Sequence, residues 1–184
     1  MSTTATVFVG ASVDGFIARR DGGIDWLPEN PEPHGYDELV AGVDAIVMGR
    51  NTFDFVVGYG GPWLYGDKRI VVLSSRPLDL SVAIGRGGKV EQMGGDPADV
   101  VARLAATGAR HLYVDGGDTI QRFLRAGLIT RLIVTRVPVL IGDGIPLFGS
   151  LPSDVKLRHV ATRTFPSGLV QSEYEVPPGT APSR

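Results

Sequence analysis

Three short apolar runs constrain this chain more than any other feature: Asp44-Ala45-Ile46-Val47-Met48, Ile70-Val71-Val72-Leu73 and His111-Leu112-Tyr113-Val114. Each has strand length and strand composition, and each breaks at glycine or hydroxyl residues. Helical patterns alternate with them. Tyr36 to Gly42 puts Leu39 and Val40 inward, and Asn51 and Thr52 are suitable caps for a helix carrying Phe53 and Val56. Asp96-Pro97-Ala98-Asp99 opens a helix with a capping carboxylate, and Val100, Val101, Leu104 and Ala105 give it one apolar face ending at Gly108. Thr119 to Ala126 carries the stripe Ile120, Phe123 and Leu124. Strand–helix alternation of this kind requires a mainly parallel sheet covered on both faces.

The ends of the chain complete the pattern. A strand begins at Val7-Phe8-Val9, runs to about Val13, and continues irregularly through Phe16-Ile17-Ala18. The last third holds strands without helices: Leu132 to Leu140, then about Val155–Thr164 and Leu169–Val176. These predict antiparallel pairing at one edge. The expected class is α/β, with a mostly parallel central mixed sheet, helices on both faces and an antiparallel C-terminal edge. Residues 1–176 form one domain in this reading, and 177–184 a disordered tail.

Composition narrows the function. The 184 residues include no cysteine, which excludes disulfide scaffolds, thiolate zinc sites and cysteine nucleophiles. The 25 glycines and 13 prolines are many, but 43% apolar content supports a folded core. The 18 basic and 20 acidic residues are interspersed, with no basic run to follow a phosphate backbone, so nucleic acid is not an expected partner. His34, His111 and His159 lack metal-ligand spacing, and no metal is expected. No apolar run reaches membrane-span length and the N-terminus lacks a basic signal region, which predicts the cytoplasm and no membrane partner.

Three junctions at strand ends are suited to phosphate. Val114-Asp115-Gly116-Gly117-Asp118-Thr119 turns on two glycines into a helix whose first N–H groups are unpaired. Met48-Gly49-Arg50-Asn51-Thr52 adds the planar guanidinium of Arg50 and a hydroxyl. Leu73-Ser74-Ser75-Arg76 supplies two hydroxyls and a second arginine. Open α/β sheets bind ligands at such carboxyl ends.

In this order the segments resemble the dihydrofolate reductase-like superfamily, closest to the C-terminal reductase domain of bifunctional riboflavin-biosynthesis enzymes. The resemblance is carried by Ser12–Ala18, Gly22–Leu27, Val47–Phe53, Lys68–Pro77, Val114–Gly117 and Val139–Phe148, nearly the whole chain. It implies a three-layer fold and NADPH as cofactor. By this similarity Ala11, Ile17 and Ala18 lie along the nicotinamide, and Gly49, Arg50, Asn51 and Thr52 meet the pyrophosphate and 2′-phosphate. Leu73, Ser74, Ser75 and Arg76 enclose the adenine ribose and that phosphate. Gly116, Gly117, Asp118, Thr119 and Ile120 close over the pyrophosphate. Two arginines at adjacent strand ends match a monoester phosphate better than a ribose diol, which favours NADPH over NADH.

The expected reaction is hydride transfer to a heterocyclic small molecule, with a 5-amino-6-(5-phosphoribosylamino)uracil-like compound as the specific choice. Dihydrofolate or pterin reduction is the second reading, and a non-catalytic NADP(H)-binding module the third. Folate reductases place a carboxylate shortly after the tryptophan matching Trp26; here Glu29, Glu32 and Asp37 are near it only in sequence. Asp25, Trp26 and Thr135 are the candidates for the catalytic pocket, and Arg19, Arg20 and Arg136 for a substrate phosphate. The resemblance also implies a homodimer, with contacts near Leu132–Leu140.

Overall fold

The apolar runs fold as their alternation requires. The computed structural model describes residues 3–29 and 32–178. In chain order the elements are β1 (Thr4–Ser12), β2 (Phe16–Ala18), α1 (Tyr36–Gly42), β3 (Ala45–Gly49), α2 (Arg50–Gly58), β4 (Arg69–Leu73), α3 (Ser81–Gly85) and β5 (Lys89–Met93). They continue with α4 (Pro97–Ala106), β6 (His111–Asp115), α5 (Gly117–Arg125), β7 (Arg131–Val137), β8 (Ile145–Pro146), β9 (Arg158–Thr164) and β10 (Val170–Glu175).

Eight strands form one sheet in the order β5-β4-β3-β6-β1-β7-β10-β9. The six from β5 to β7 are parallel, and β10 and β9 close the edge antiparallel. Strands β2 and β8 form a separate two-stranded ribbon. The period of two along each strand divides the core. Val7, Ala11, Val47, Val114, Leu132 and Val134 face α4 and α5, where they meet Val100, Leu104 and Phe123. Phe8, Ile46, Met48, Tyr113 and Ile133 face the other way, against Phe53, Val56, Trp63 and Tyr65.

Several expectations change. The helix after β3 begins at Arg50, with Gly49 in the cap position, so Asn51 and Thr52 lie in its first turn and do not cap it. Asp96 occupies the cap of α4, but its carboxylate makes no capping hydrogen bond. Helix α5 starts at Gly117, two residues earlier than its apolar stripe suggested. The run Leu132–Leu140 supplies no sheet edge: its strand, β7, lies between β1 and β10, and the edges of the sheet are β5 and β9. Elements α3, β5 and β8 had no clear sequence signal. Of the expected tail, residues 179–184 lie outside the described residues.

Candidate active site

Because the parallel strands run the same way, the ends of β3, β4, β5 and β6 share one margin of the sheet. A cleft of about 1170 Å³ opens there. One end is lined by Gly49–Thr52, Leu73–Arg76, Met93–Gly95 and Asp115–Thr119. The other end is floored by Phe8, Val9, Gly10, Thr135 and Val137, and walled by Ile24, Leu27, Pro28, His34 and Tyr36. Ile17 and Ala18 on β2 also line it, with Ile17 against Gly117.

The junctions after β3 and β6 touch. Gly116 has φ +90°, a left-handed conformation that side chains other than glycine's disfavour, and a Cβ there would collide with the Thr52 hydroxyl. A Cβ on Gly49 would stand 2.8 Å from Thr119 Oγ1. The N-termini of α2 and α5 are therefore packed side by side, with glycine at each cap and no side chain satisfying their first N–H groups. Burial of Ile120, Phe123 and Leu124, each worth roughly 1.5–3 kcal/mol, holds α5 in that position.

Three arginines at this end, beside the carboxyls of Asp115 and Asp118, are lightly committed. Arg50 reaches Asp54 only at 3.4 Å, one helical turn away. Among the described residues Arg76 has no carboxylate partner, and Arg122 is tethered to the Gly95 carbonyl at 3.2 Å. Backbone N–H groups, hydroxyls and guanidinium groups in a glycine-lined hollow form a donor set that fits a dinucleotide carrying an extra phosphate.

Fourteen of the sixteen expected cofactor residues line this cleft. Ala11 and Ile120 do not. The side chain of Ala11 points to the opposite face of the sheet from Gly10, and Ile120 belongs to the inward stripe of α5; both are fully buried in the core. Thr135 is on the floor as expected, whereas Asp25 and Trp26 are not among the lining residues. Asp25 instead takes both guanidinium arms of Arg19, at 2.6 and 2.8 Å, bracing its own loop. The indole N–H of Trp26 is buried without a hydrogen-bond partner among the described residues.

The expected phosphate arginines are also engaged. Arg20 lines the cleft but pairs with Asp143, and Arg136 donates to the Ser12 carbonyl at 2.9 Å. Asp14 accepts from the Ile141 and Gly142 amides, so the segment Gly142-Asp143-Gly144 clasps the β1–β2 loop. Glu32 accepts from the Ser167 amide and hydroxyl, while Glu29 and Asp37 lie exposed outside the cleft.

A carboxyl does reach the cleft, from a position not assigned that role in sequence. Asp115, at the end of β6, accepts from the Gly116 amide at 2.8 Å. Burial pushes its pKa up, opposed by that bond and by the Tyr113 hydroxyl. Three tyrosines, Tyr36, Tyr65 and Tyr113, line the cleft with it. Burial, reinforced by the Asp115 charge, lifts Tyr36 to about 12 and raises the other two further, so all three remain neutral hydroxyls. The signal in sequence was the acidic residue before Gly116-Gly117; two of the three tyrosines beside it, Tyr36 and Tyr65, come from segments distant in the chain.

Comparison with known proteins gives the family and the fold. The profile of the RibD C-terminal domain matches residues 3–171. YwjB of Bacillus subtilis, an uncharacterized protein, is 31% identical over 95% of this chain and 98% of its own. A crystal structure from Shewanella sp. PV-4, of a protein proposed to act in riboflavin biosynthesis, is 38% identical with TM-score 0.85, covering 94% of this chain and 98% of that one.

At low identity the fold recurs in two further structures. The Thermotoga maritima diaminohydroxyphosphoribosylaminopyrimidine deaminase/5-amino-6-(5-phosphoribosylamino)uracil reductase is 15% identical, TM-score 0.71, covering 96% of this chain and 57% of that one. Enterococcus faecalis dihydrofolate reductase complexed with NADP(H) is 15% identical, TM-score 0.64, covering 94% and 95%. The chain belongs to the RibD C-terminal domain family, a reductase-like family of riboflavin biosynthesis, and has the dihydrofolate reductase-like α/β fold.

Proposed function

We propose that the chain is an NADPH-dependent reductase of a heterocyclic small molecule, with an aminouracil bearing a phosphoribosyl-type substituent as the preferred substrate. The observation that carries this reading is the contact between the two glycine-capped helix N-termini, at Gly49 and Gly116, beside Arg50 and Arg76. Amides of α2 and α5 hold the pyrophosphate, and Arg50 and Arg76 hold the 2′-phosphate. Ile17 and Ala18 cover the nicotinamide and exclude water from it.

Bound NADPH supplies the hydride. The chain's part is to orient an acceptor ring between Leu27, His34 and Tyr36 over the floor at Gly10 and Thr135, and to supply a proton. Asp115, whose pKa burial moves upward, is the carboxyl on the cleft that would pass a proton to the heteroatom next to the carbon that accepts hydride. Asp25 and Trp26 act at one remove, by shaping the loop that carries Ile24 and Leu27. A homodimer belongs to the same proposal; monomeric light scattering at high concentration would remove it.

Fluorescence titration with NADPH and NADH tests the cofactor assignment. Arg50→Ala and Arg76→Ala each weaken NADPH binding by roughly 10- to 100-fold, the cost of a charged hydrogen-bonding partner, and leave NADH binding nearly unchanged. Equal affinity of the parent for both cofactors sinks the 2′-phosphate assignment. Loss of NADPH absorbance against aminouracils, dihydropterins and dihydrofolate then separates an enzyme from a binding module.

A further inference from the structure

Thr135 stands on β7 opposite Gly10 of β1 and Gln171 of β10, and its residue is only 5% exposed. Its hydroxyl has one partner, the Gln171 side-chain amide nitrogen at 3.1 Å. The same nitrogen lies 3.0 Å from the backbone carbonyl oxygen of His34. That second contact fixes the amide: a carbonyl oxygen only accepts, so the NH₂ group and not the amide oxygen must face it. Gln171 therefore donates to both, and the Thr135 oxygen accepts.

A hydroxyl has one proton to give. With Gln171 occupying its acceptor side, the Thr135 proton is left to point elsewhere, and among the described residues no protein group accepts it. The open direction is the cleft, which Thr135 lines. The absence of a Cβ at Gly10, next to it across the ladder, keeps the floor low there.

We infer that Gln171 commits the Thr135 hydroxyl to donation, so that the floor of the cleft selects ligands presenting a hydrogen-bond acceptor: a ring carbonyl or an unprotonated ring nitrogen. A ligand that turns an N–H toward the floor meets a second donor and leaves both unpaired. Gln171 is a positioning residue in this arrangement; Thr135 makes the contact. The inference rests on the cleft being the heterocycle site of a reductase, and its substrate class is pyrimidine-dione-like rings and their relatives.

The test is the affinity of 5-aminouracil, measured by calorimetry with and without saturating NADP⁺. Thr135→Val, nearly the same shape without the hydroxyl, weakens 5-aminouracil binding ~10-fold or more, and Thr135→Ser restores it to within about threefold of the parent. Gln171→Glu replaces the donor by a carboxylate that accepts from Thr135 and turns the hydroxyl proton away from the cleft. It costs as much as Thr135→Val although the threonine remains. Gln171→Leu leaves the hydroxyl free to rotate and costs about threefold at most.

NADPH affinity stays within about twofold of the parent in all four variants, which reports that each has folded. A merely structural Gln171 would lose probe and cofactor affinity together, equally in the Leu and Glu variants. Unchanged 5-aminouracil affinity in Thr135→Val overturns the inference. So does retained affinity in Gln171→Glu, or a parent that binds no 5-aminouracil in either state. A parent that binds 5-aminouracil with the Thr135→Val loss but binds no NADPH overturns the reductase reading and leaves the committed donor standing.

Discussion

Asp115 carries a cost that the rest of the chain must cover. Its carboxyl lies half-buried against tyrosines that stay neutral, so the charged form is disfavoured and the pKa is raised above 3.8. Between the unfolded value and the raised folded value, the native state holds more protons than the unfolded chain. Stability therefore falls as pH rises through that window and stays lower above it. Asp115→Asn keeps the Gly116 N–H acceptor but removes the charge. The variant melts higher than the parent at pH 8, and the difference closes below pH 3.8. If Asp115 supplies the proton, the same variant loses turnover by roughly 10²–10⁴-fold. Thermal melts at several pH values and a single turnover assay check both arms; a variant with parent-like turnover removes Asp115 from the chemistry.

At the scale of elements, the site is two strand–glycine–helix junctions pressed together, and the two glycines do different work. Gly49 has an ordinary extended backbone, φ −80°, and lacks a side chain only because Thr119 Oγ1 is close. Gly116 lacks one both because Thr52 is close and because its φ is positive. Gly49→Ala costs about 1–3 kcal/mol, and adding Thr119→Ala recovers most of it. Gly116→Ala costs more, and Thr52→Ala recovers only the collision, leaving the roughly 1–2 kcal/mol of backbone strain. Chemical denaturation of the two cycles reads the difference. The sequence made both glycines visible as junctions, since glycine after a β-rich run has few other uses. It did not reveal that they meet, because that depends on β3 and β6 pairing across sixty intervening residues. Strand β5 escaped for a related reason. In Lys89-Val90-Glu91-Gln92-Met93 two of five residues are apolar, as suits an edge strand, and only the following Gly94-Gly95 marked its end.

The whole molecule places its binding surface where its packing is least continuous. The central strands bury side chains to both faces, but at the carboxyl ends of the parallel strands the chain turns into loops and helix caps, and four such ends converge on one cleft. That convergence was readable as a class, since parallel strands must share an end. The acid–tyrosine cluster was not, because Tyr113 and Asp115 on β6 meet Tyr36 and Tyr65 from two distant segments, and the upward pKa shifts arise only once they are packed together. The same convergence couples the ligand to global stability. A dinucleotide bridging the β3, β4 and β6 junctions binds only when those strands are in register, so it binds the native state and not the unfolded chain. At one hundred times its Kd, NADPH stabilises the fold by about 2.7 kcal/mol. For a chain of this size that raises the melting temperature by roughly 5–10 °C. If Arg50 and Arg76 hold the 2′-phosphate as proposed, NADH at the same concentration raises it by much less, and Arg76→Ala brings the two cofactors together. Scanning calorimetry at matched concentrations decides it: equal shifts with NADPH and NADH in the parent would mean that neither arginine reads the 2′-phosphate.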